Sequence, residues 1–245
     1  MKKTVLLEFI KKHTVIEKCR WVSNSKDKTL KVNVASDTKN LLCDLTLNNW
    51  DGFGDAEIGI GDLKKFNREL NGVVGEDLTA IINYSDDKSR IINIDFMDGT
   101  QVQTITVSDL DMIAASSRLK QVPPFNVEIV FDKDTVDRFL KSKSSLPDVN
   151  TFTVMMNKKK ELVLVVGYSN INSSRATISV KTNVGMDKVA APLHFRADYL
   201  KDILTANSEV DSSVLKVSDG GFCSIAFQSG DFDSKYYLTT TDDQD

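Results

Sequence analysis

The residues best suited to chemistry in this sequence are lysines and arginines that concentrate in a few segments. Four segments of helical periodicity and their flanks hold thirteen bases against eight acids, although the chain of 245 residues has a net charge of −4. Such bases neutralise phosphates without reading base edges. Because no row of aromatic residues is interleaved with them, the pattern favours a duplex over a single strand. The alternative is that these charged helix faces are merely solvated.

Other candidate chemistry is weak. The glycine-rich stretch 51–62 has neither dinucleotide-binding nor phosphate-loop spacing and lacks an EF-hand pattern. It is interpreted as a loop that ends at a helix cap, Asp62. His13 and His194 have no partner at metal-ligand spacing, and the carboxylates form no recognisable catalytic pair. The sequence therefore predicts no enzyme, no cofactor and no metal.

Composition indicates a globular intracellular protein. The sequence is 41% hydrophobic and 27% charged, and no stretch approaches the ~20 apolar residues of a membrane span. The apolar run near the start is too short and polar for a signal peptide. Cys19, Cys43 and Cys223 are far apart, which favours reduced thiols over a disulfide framework.

The elements that position these residues are mostly strands. Strand patterns are predicted at Leu30–Val34, Leu41–Leu47, Leu78–Tyr84, Ile91–Phe96, Val102–Val107, Phe152–Met156, Leu162–Tyr168, Ala176–Lys181, Val214–Val217, Phe222–Phe227 and Lys235–Thr239. Amphipathic helices are predicted at Lys3–His13, Asp62–Asn71, Lys133–Ser142 and Arg196–Asn207.

The order of these elements repeats. Helix, strands, helix and strands occur before residue 110 and again after residue 126, and 61–71 parallels 197–207 in sequence. The sequence thus predicts an α+β chain of two similar domains, 1–110 and 127–245, joined by a connector at 111–126. Pro123 and Pro124 hold the end of this connector extended.

Two stretches carry a family resemblance. The first is "VSDLDMI" at 107–113, followed by a connector and then "FNVEIVFDKDTVDRFLK". The second is 192–238, whose most specific piece is "KYYL" before an acidic tail. The chain resembles the DNA polymerase sliding clamps, the family of proliferating cell nuclear antigen and the phage clamps. The short amino-terminal segment and the loose identity favour a phage or other viral member, whose location would be the host cytoplasm or nucleoid.

The resemblance implies a closed ring of three chains with helices around duplex DNA and sheets outside. It further implies a processivity factor that tethers the replicative DNA polymerase, is placed on DNA by a clamp loader, and contacts no membrane. The DNA-facing residues would be Lys3, Lys11, Lys12, Lys64, Lys65, Arg68, Lys133, Arg138, Lys141 and Lys201. The subunit interface would contain Gln101, Gln103, Ile105, Val107, Thr177, Ile178 and Val180, with strand 101–107 pairing with strand 176–181 of the next chain.

The resemblance also implies a pocket for partner peptides. Its walls would be Leu119, Val122, Pro123, Phe125, Tyr236, Tyr237 and Leu238. Alternation along a strand prevents both adjacent tyrosines from facing the pocket without a bulge, and all seven residues could instead be core. The alternative function is a viral structural or assembly protein built from duplicated β-rich domains, which would need no basic helical surface.

Overall fold

The computed structural model describes residues 1–115, 119, 121–169, 174–187 and 189–241, with the backbone alone for 184–187. Their contacts divide the chain into two compact units. Unit 1 comprises Met1–Ser36, Cys43–Arg118 and Gln228–Ser234, and unit 2 comprises Asp37–Leu42, Leu119–Phe227 and Lys235–Asp245. The division falls within three strands, so each unit contains short segments that are distant in sequence.

Unit 1 begins with a helix and ends with three consecutive strands. Its elements are α1 (Lys3–Lys11), β1 (Cys19–Asn24), β2 (Thr29–Ala35), β3 (Leu41–Leu47), β4 (Ala56–Ile60), α2 (Leu63–Asn71), β5 (Thr79–Tyr84), β6 (Ile91–Met97), β7 (Val102–Thr106) and a 3₁₀ helix at Leu110–Met112. One sheet has the order β3-β2-β1-β4, and a second has the order β5-β6-β7. The β1–β2, β1–β4, β5–β6 and β6–β7 pairs are antiparallel.

Unit 2 repeats this plan with two added strands, one before its first helix and a fifth strand between its two helices. Its elements are β8 (Val127–Asp132), α3 (Lys133–Ser145), β9 (Thr151–Met156), β10 (Leu162–Val166), β11 (Ala176–Ser179), β12 (Lys181–Asp187), β13 (Leu193–Arg196), α4 (Ala197–Ala206), β14 (Ser212–Ser218), β15 (Phe222–Ser229) and β16 (Phe232–Thr239). The sheet orders are β12-β8-β14-β15-β16 and β11-β10-β9-β13.

In unit 1 an aromatic cluster holds the helices on the sheets. The Trp21 ring lies within 6.4 Å of the ring centroids of Phe9, Phe53 and Phe66. Trp21 is fully buried, and its indole N–H donates to His13 Nε2 at 3.0 Å. Burial of such large rings contributes most of the apolar area that stabilises a core, so helices α1 and α2 are fixed by this cluster.

Unit 2 is held by a smaller aromatic set without tryptophan. The Phe139 ring of α3 contacts those of Phe131 and Phe152, and Phe152 stacks on Phe195 at 5.4 Å. All four are fully buried. The two units therefore share a plan of helices on antiparallel sheets but fill it with different side chains.

The helices agree with the predicted ones to within three residues at each end. Leu63, Phe66 and Leu70 of α2 are buried at helical spacing, and Asp62 caps the helix by accepting from the Lys65 N–H at 2.8 Å. The predicted strands missed β1, β4, β8, β12 and β13.

The glycine-rich stretch is not simply a loop, because it contains β4. Gly59 of this strand accepts a hydrogen bond from the Ser108 N–H at 2.8 Å. A Cβ on Gly59 would collide with the Ser108 carbonyl oxygen. Close backbone approach, not phosphate binding, explains this glycine.

Candidate functional site

Helix α2 presents the most basic exposed surface. Lys64, Lys65 and Arg68 are all exposed, opposite the buried stripe of the helix. Lys65 lies 3.7 Å from Glu69 in an i,i+4 pair, which is weak at a solvated surface. These three predicted residues are positioned together and can meet a polyanion.

Helix α1 contributes less than predicted. Lys11 is exposed, but the Lys3 ammonium donates to the carbonyl oxygen of Val73 at 2.6 Å and is half-buried. The placement of Lys12 at the DNA-facing surface is wrong. Its side chain is buried, with Nζ 3.5 Å from a Glu8 carboxylate oxygen and 5.3 Å from the Phe232 ring centroid. A buried, paired ammonium is unavailable to phosphates.

The helices of unit 2 are unequal. In α3, Lys133, Arg138 and Lys141 are exposed, with Arg138 2.8 Å from Asp134. In α4, Lys201 is half-buried between two acids in sequence, Asp198 and Asp202, so this helix carries net negative charge. The positive surface of the described helices is therefore concentrated on α2 and α3.

The predicted connector exposes apolar side chains. Val122 is 41% exposed and Leu119 is similarly open, while Pro123 and Phe125 are partly exposed. Its end is fixed by Asn126, whose N–H donates to Val217 O at 2.8 Å and whose side-chain oxygen accepts from the Asp219 N–H at 2.9 Å. Phe125 is thereby held next to the β14–β15 turn.

The last strand does not form an open wall. Tyr236 and Leu238 are fully buried, so their assignment to the pocket is wrong; the Tyr236 hydroxyl accepts from the Asn207 side chain at 3.1 Å. Tyr237 is mostly buried against Phe222, with ring centroids 5.5 Å apart. Alternation puts Tyr236 and Leu238 on the core side.

The sequence interpretation missed Phe222 as a companion of this surface. Phe222 directly follows the turn that Asn126 holds, so the Phe222–Tyr237 pair and the connector end lie around one turn of unit 2. The motif "GGF" at 220–222, directly after β14, could have indicated a turn followed by an aromatic residue at the start of the next strand. The acidic ending "DDQD" lies outside the described residues.

The two strands predicted to join neighbouring chains lie at sheet edges. β7 is last in the order β5-β6-β7, and β11 is first in β11-β10-β9-β13. Gln101, Gln103 and Val180 are half-buried, and Thr177 is exposed. The side chains of Ile105, Val107 and Ile178 are buried within their own units. These edges therefore offer backbone groups and exposed threonines, whereas their isoleucines support the sheets from within.

The ionisable groups with shifted pKa values have structural roles. Among the described residues, no group of three histidine, cysteine, aspartate or glutamate side chains could hold a metal ion. Burial lowers the pKa of His13 to about 4, against the opposing hydrogen bond to Phe9 O. Burial raises the pKa of Cys19 to about 12, which keeps the thiol protonated and unreactive. The hydrogen bond from Lys181, with those from Thr135, holds the pKa of Asp132 below its usual range.

No described helix is long and apolar enough to cross a membrane.

Comparison with solved structures identifies the fold. The chain is similar to proliferating cellular nuclear antigen from Entamoeba histolytica, with 13% identity, a TM-score of 0.71, and coverage of 98% of this chain and 96% of that one. It is also similar to the A. fulgidus PCNA solved with the C-terminal region of FEN-1, with 12% identity, a TM-score of 0.72, and coverage of 100% and 98%. No protein-family model and no curated protein matches the sequence. The chain has the α+β sliding-clamp fold with two similar domains, which confirms that prediction.

Proposed function

We propose that this protein is a DNA sliding clamp, a non-enzymatic ring that encircles duplex DNA inside the cell and tethers replication proteins, a polymerase among them. The observation that supports this most is that the clamp fold extends over the whole chain. The exposed bases of α2 and α3 and the apolar connector agree with it. The proposed domains are 1–110 and 127–245, with 111–126 between them.

The proposed ring contains three chains, joined by pairing of β7 with β11 of the next chain. Two domains per chain give six around the ring, and a closed head-to-tail contact leaves neither edge open. The Val107 N–H donates to Ile92 O, and in an antiparallel pair every second residue bonds to the neighbouring strand. The backbone groups of Gln103 and Ile105 in β7 therefore bond to β6. The N–H of Thr104 therefore points to the open edge.

Thr104→Pro tests this edge, because it removes that N–H without breaking a backbone bond within β5-β6-β7; within the sheet it removes only the side-chain bond from the Thr104 hydroxyl to Asp95 Oδ1, at 2.5 Å. Light scattering should give the mass of three chains for the unchanged protein and of one chain for the variant. The matched control is Ala80→Pro on the opposite edge of the same sheet, which should retain the trimer. A monomeric unchanged protein at micromolar concentration would exclude the ring.

The proposed DNA contact is tested by charge reversal on α2. Replacing Lys64, Lys65 and Arg68 by Glu should weaken association with DNA and flatten its dependence on salt concentration. The control reverses Lys158, Lys159 and Lys160, which are exposed in the β9–β10 turn, and makes the same charge change. Equal loss of DNA association in both triple variants would show that the effect is global repulsion and that α2 is not the contact.

The proposed partner site is the exposed connector with the Phe222–Tyr237 pair. The similar A. fulgidus PCNA was solved with the C-terminal region of FEN-1 bound. In the proposed site, an extended segment of a partner would bury its apolar side chains against the connector. Each anchor fully buried contributes roughly 1.5–3 kcal/mol. Val122→Ala with Phe125→Ala should lower processivity of a polymerase from the same source while the ring and its melting temperature stay unchanged. Full processivity would place partner binding elsewhere; Val74→Ala, which truncates an exposed valine outside the connector, is the control.

A further inference from the structure

The edge of β5 lacks the cover that its counterpart in unit 2 has. The counterpart is β14, since each is the first of three strands after the second helix of its unit. β14 pairs with β8 from Ser212 to Val217, opposite Asp132 to Val127. Among the described residues of unit 1, the chain reaches the same edge only near Met1–Lys3, which pair with 76–78. Beyond residue 78, no described strand pairs with this edge, because β5 is the outermost strand in the order β5-β6-β7.

The hydrogen-bond pattern identifies the open backbone groups. Leu78 exchanges both of its backbone bonds with Met1 on this side. Groups on one side of an antiparallel strand alternate, so Ala80 and Ile82 direct their N–H and C=O groups to the open edge. Thr79, Ile81 and Asn83 face β6 instead. The next partner strand would continue the Met1–Lys3 pairing along β5.

The side chains of β5 do not protect this edge. Edge strands normally avoid association through charges or proline, and β4, β12 and β13 carry Glu57, Lys181 and Arg196. The sequence of β5, TAIINY, has neither. The other uncharged edges are β7 and β11, which the proposed ring pairs with each other. Three exposed apolar residues, Ile81, Tyr84 and Ile92, also lie on β5 and its neighbour β6.

We propose that the edge of β5 binds an extended, uncharged segment of a partner protein, apolar at alternate positions and antiparallel to β5. The covering strand of unit 2 shows the required pattern. In β8, Val127, Ile129 and Phe131 are fully buried at alternate positions. Its outward acids are paired, Glu128 with Lys216 and Asp132 with Lys181. Because Thr79, Ile81 and Asn83 on the outward side of β5 are uncharged, the segment bound here needs no acids.

A second copy of β5 fits this edge poorly. In an antiparallel pair centred on Ile82, residue 86 of the copy would lie opposite Leu78, where Met1 already bonds. The turn at residues 85–90 would then collide with Met1–Lys3, and only 80–84 could pair. A free extended segment can turn away at Met1, so it fits where the hairpin does not.

The probe is a peptide of the six β8 residues with Glu128→Thr and Asp132→Thr, carrying two lysines and a dye at its amino end. The chain is used without an added amino-terminal segment, because such a segment would itself continue the Met1–Lys3 pairing. Fluorescence anisotropy should show saturable binding. Hydrogen exchange at the Ala80 and Ile82 amides should slow at least tenfold at saturation, because these N–H groups become bonded.

Ala80→Pro should weaken peptide binding at least tenfold, since it removes an edge N–H but no bond to β6. Thr104→Pro, on the opposite edge, should bind the peptide normally whether or not it assembles. If Ala80→Pro unfolds, Ile81→Lys is used in its place, and Val22→Lys is its control. Val22 is 40% exposed, close to the 44% of Ile81, but it lies on a strand that is paired on both sides.

Four outcomes would overturn the proposal. The first three are no saturable binding, equal binding by the β5 variants and the unchanged chain, and protection of other amides without protection of Ala80 and Ile82. A doubled mass without peptide that Ala80→Pro abolishes would also overturn it, in favour of a second copy as occupant. None of these outcomes depends on whether the Thr104→Pro and α2 experiments support a clamp.

Discussion

Unit 1 and unit 2 follow one plan but are stabilised differently. Unit 1 centres on Trp21 and His13, and in the described part of the chain no strand pairs with the outer edge of β5. Unit 2 uses phenylalanines and pairs β14 with β8 from Ser212 to Val217. The order of elements tolerates such exchange because burial of apolar area is non-directional. The hydrogen-bond partners of buried polar groups differ between the units. Substitutions among these groups should therefore destabilise one unit more than the other.

The largest difference should come from Trp21→Ala. The large-to-small change removes the ring that joins α1, α2 and the sheet, and such changes typically cost about 3–5 kcal/mol. Hydrogen exchange should rise through unit 1 and less in unit 2. The neighbouring Val22→Ala, at an exposed position, is the control. Equal exchange increases in both units would show that they unfold as one.

Acid should destabilise unit 1 through His13. The His13 Nδ1–H donates to Phe9 O at 2.8 Å and Nε2 accepts from Trp21, so the folded protein needs neutral imidazole. The folded pKa of about 4 lies below the ordinary 6.5, so the unfolded chain binds the proton first. Stability is therefore lost as pH falls from about 6.5 to 4, by about 3 kcal/mol.

Tryptophan fluorescence measures this loss selectively, since Trp21 and Trp50, the two tryptophans of the chain, lie in unit 1. His13→Gln should make unfolding less sensitive to acid over this range. His194 in unit 2 is half-buried and bonded to Thr153, and burial lowers its pKa as well. An unchanged acid dependence in His13→Gln would assign the effect to the carboxylates.

A smaller effect is expected from Lys143→Met in unit 2. The buried Lys143 ammonium joins α3 to α4 by contacting the Pro147 carbonyl and an Asp198 carboxylate oxygen, each at 2.9 Å. Losing hydrogen bonds from a charged group costs about 1.5–3 kcal/mol, partly offset by the apolar replacement. Urea unfolding measures the change. Lys141→Met, on the exposed side of α3, should stay within ~0.5 kcal/mol.

The smallest effect is expected at the start of α2. Asp62 caps this helix, whereas its counterpart α4 begins after Arg196 without a side-chain cap. Asp62→Ala should cost about 1 kcal/mol and increase exchange in the first turn of α2. Asp62→Asn retains an acceptor oxygen and should be nearly neutral. A full loss in the asparagine variant would point to charge, not capping.

The sequence by itself determined the four helices, most strands and the repeated order. Helical spacing of Leu63, Phe66 and Leu70, and the Asp62 cap, are local signals, and the structure has both. The missed β1 and β4 lack such clear signals: β1 mixes polar residues with Trp21, and β4 contains a glycine whose fit depends on Ser108, about fifty residues away in sequence.

Only the tertiary structure decided which functional candidates are accessible. Lys11 is the last residue of an amphipathic helix and stays exposed, yet packing against Phe232 buries the next residue, Lys12. Tyr236 and Tyr237 are adjacent, and the choice of inner face depends on partners such as Asn207 and Phe222 from elsewhere in the chain. Exposure and edge pairing arise from contacts between distant segments, and a pattern within one segment contains no information about them.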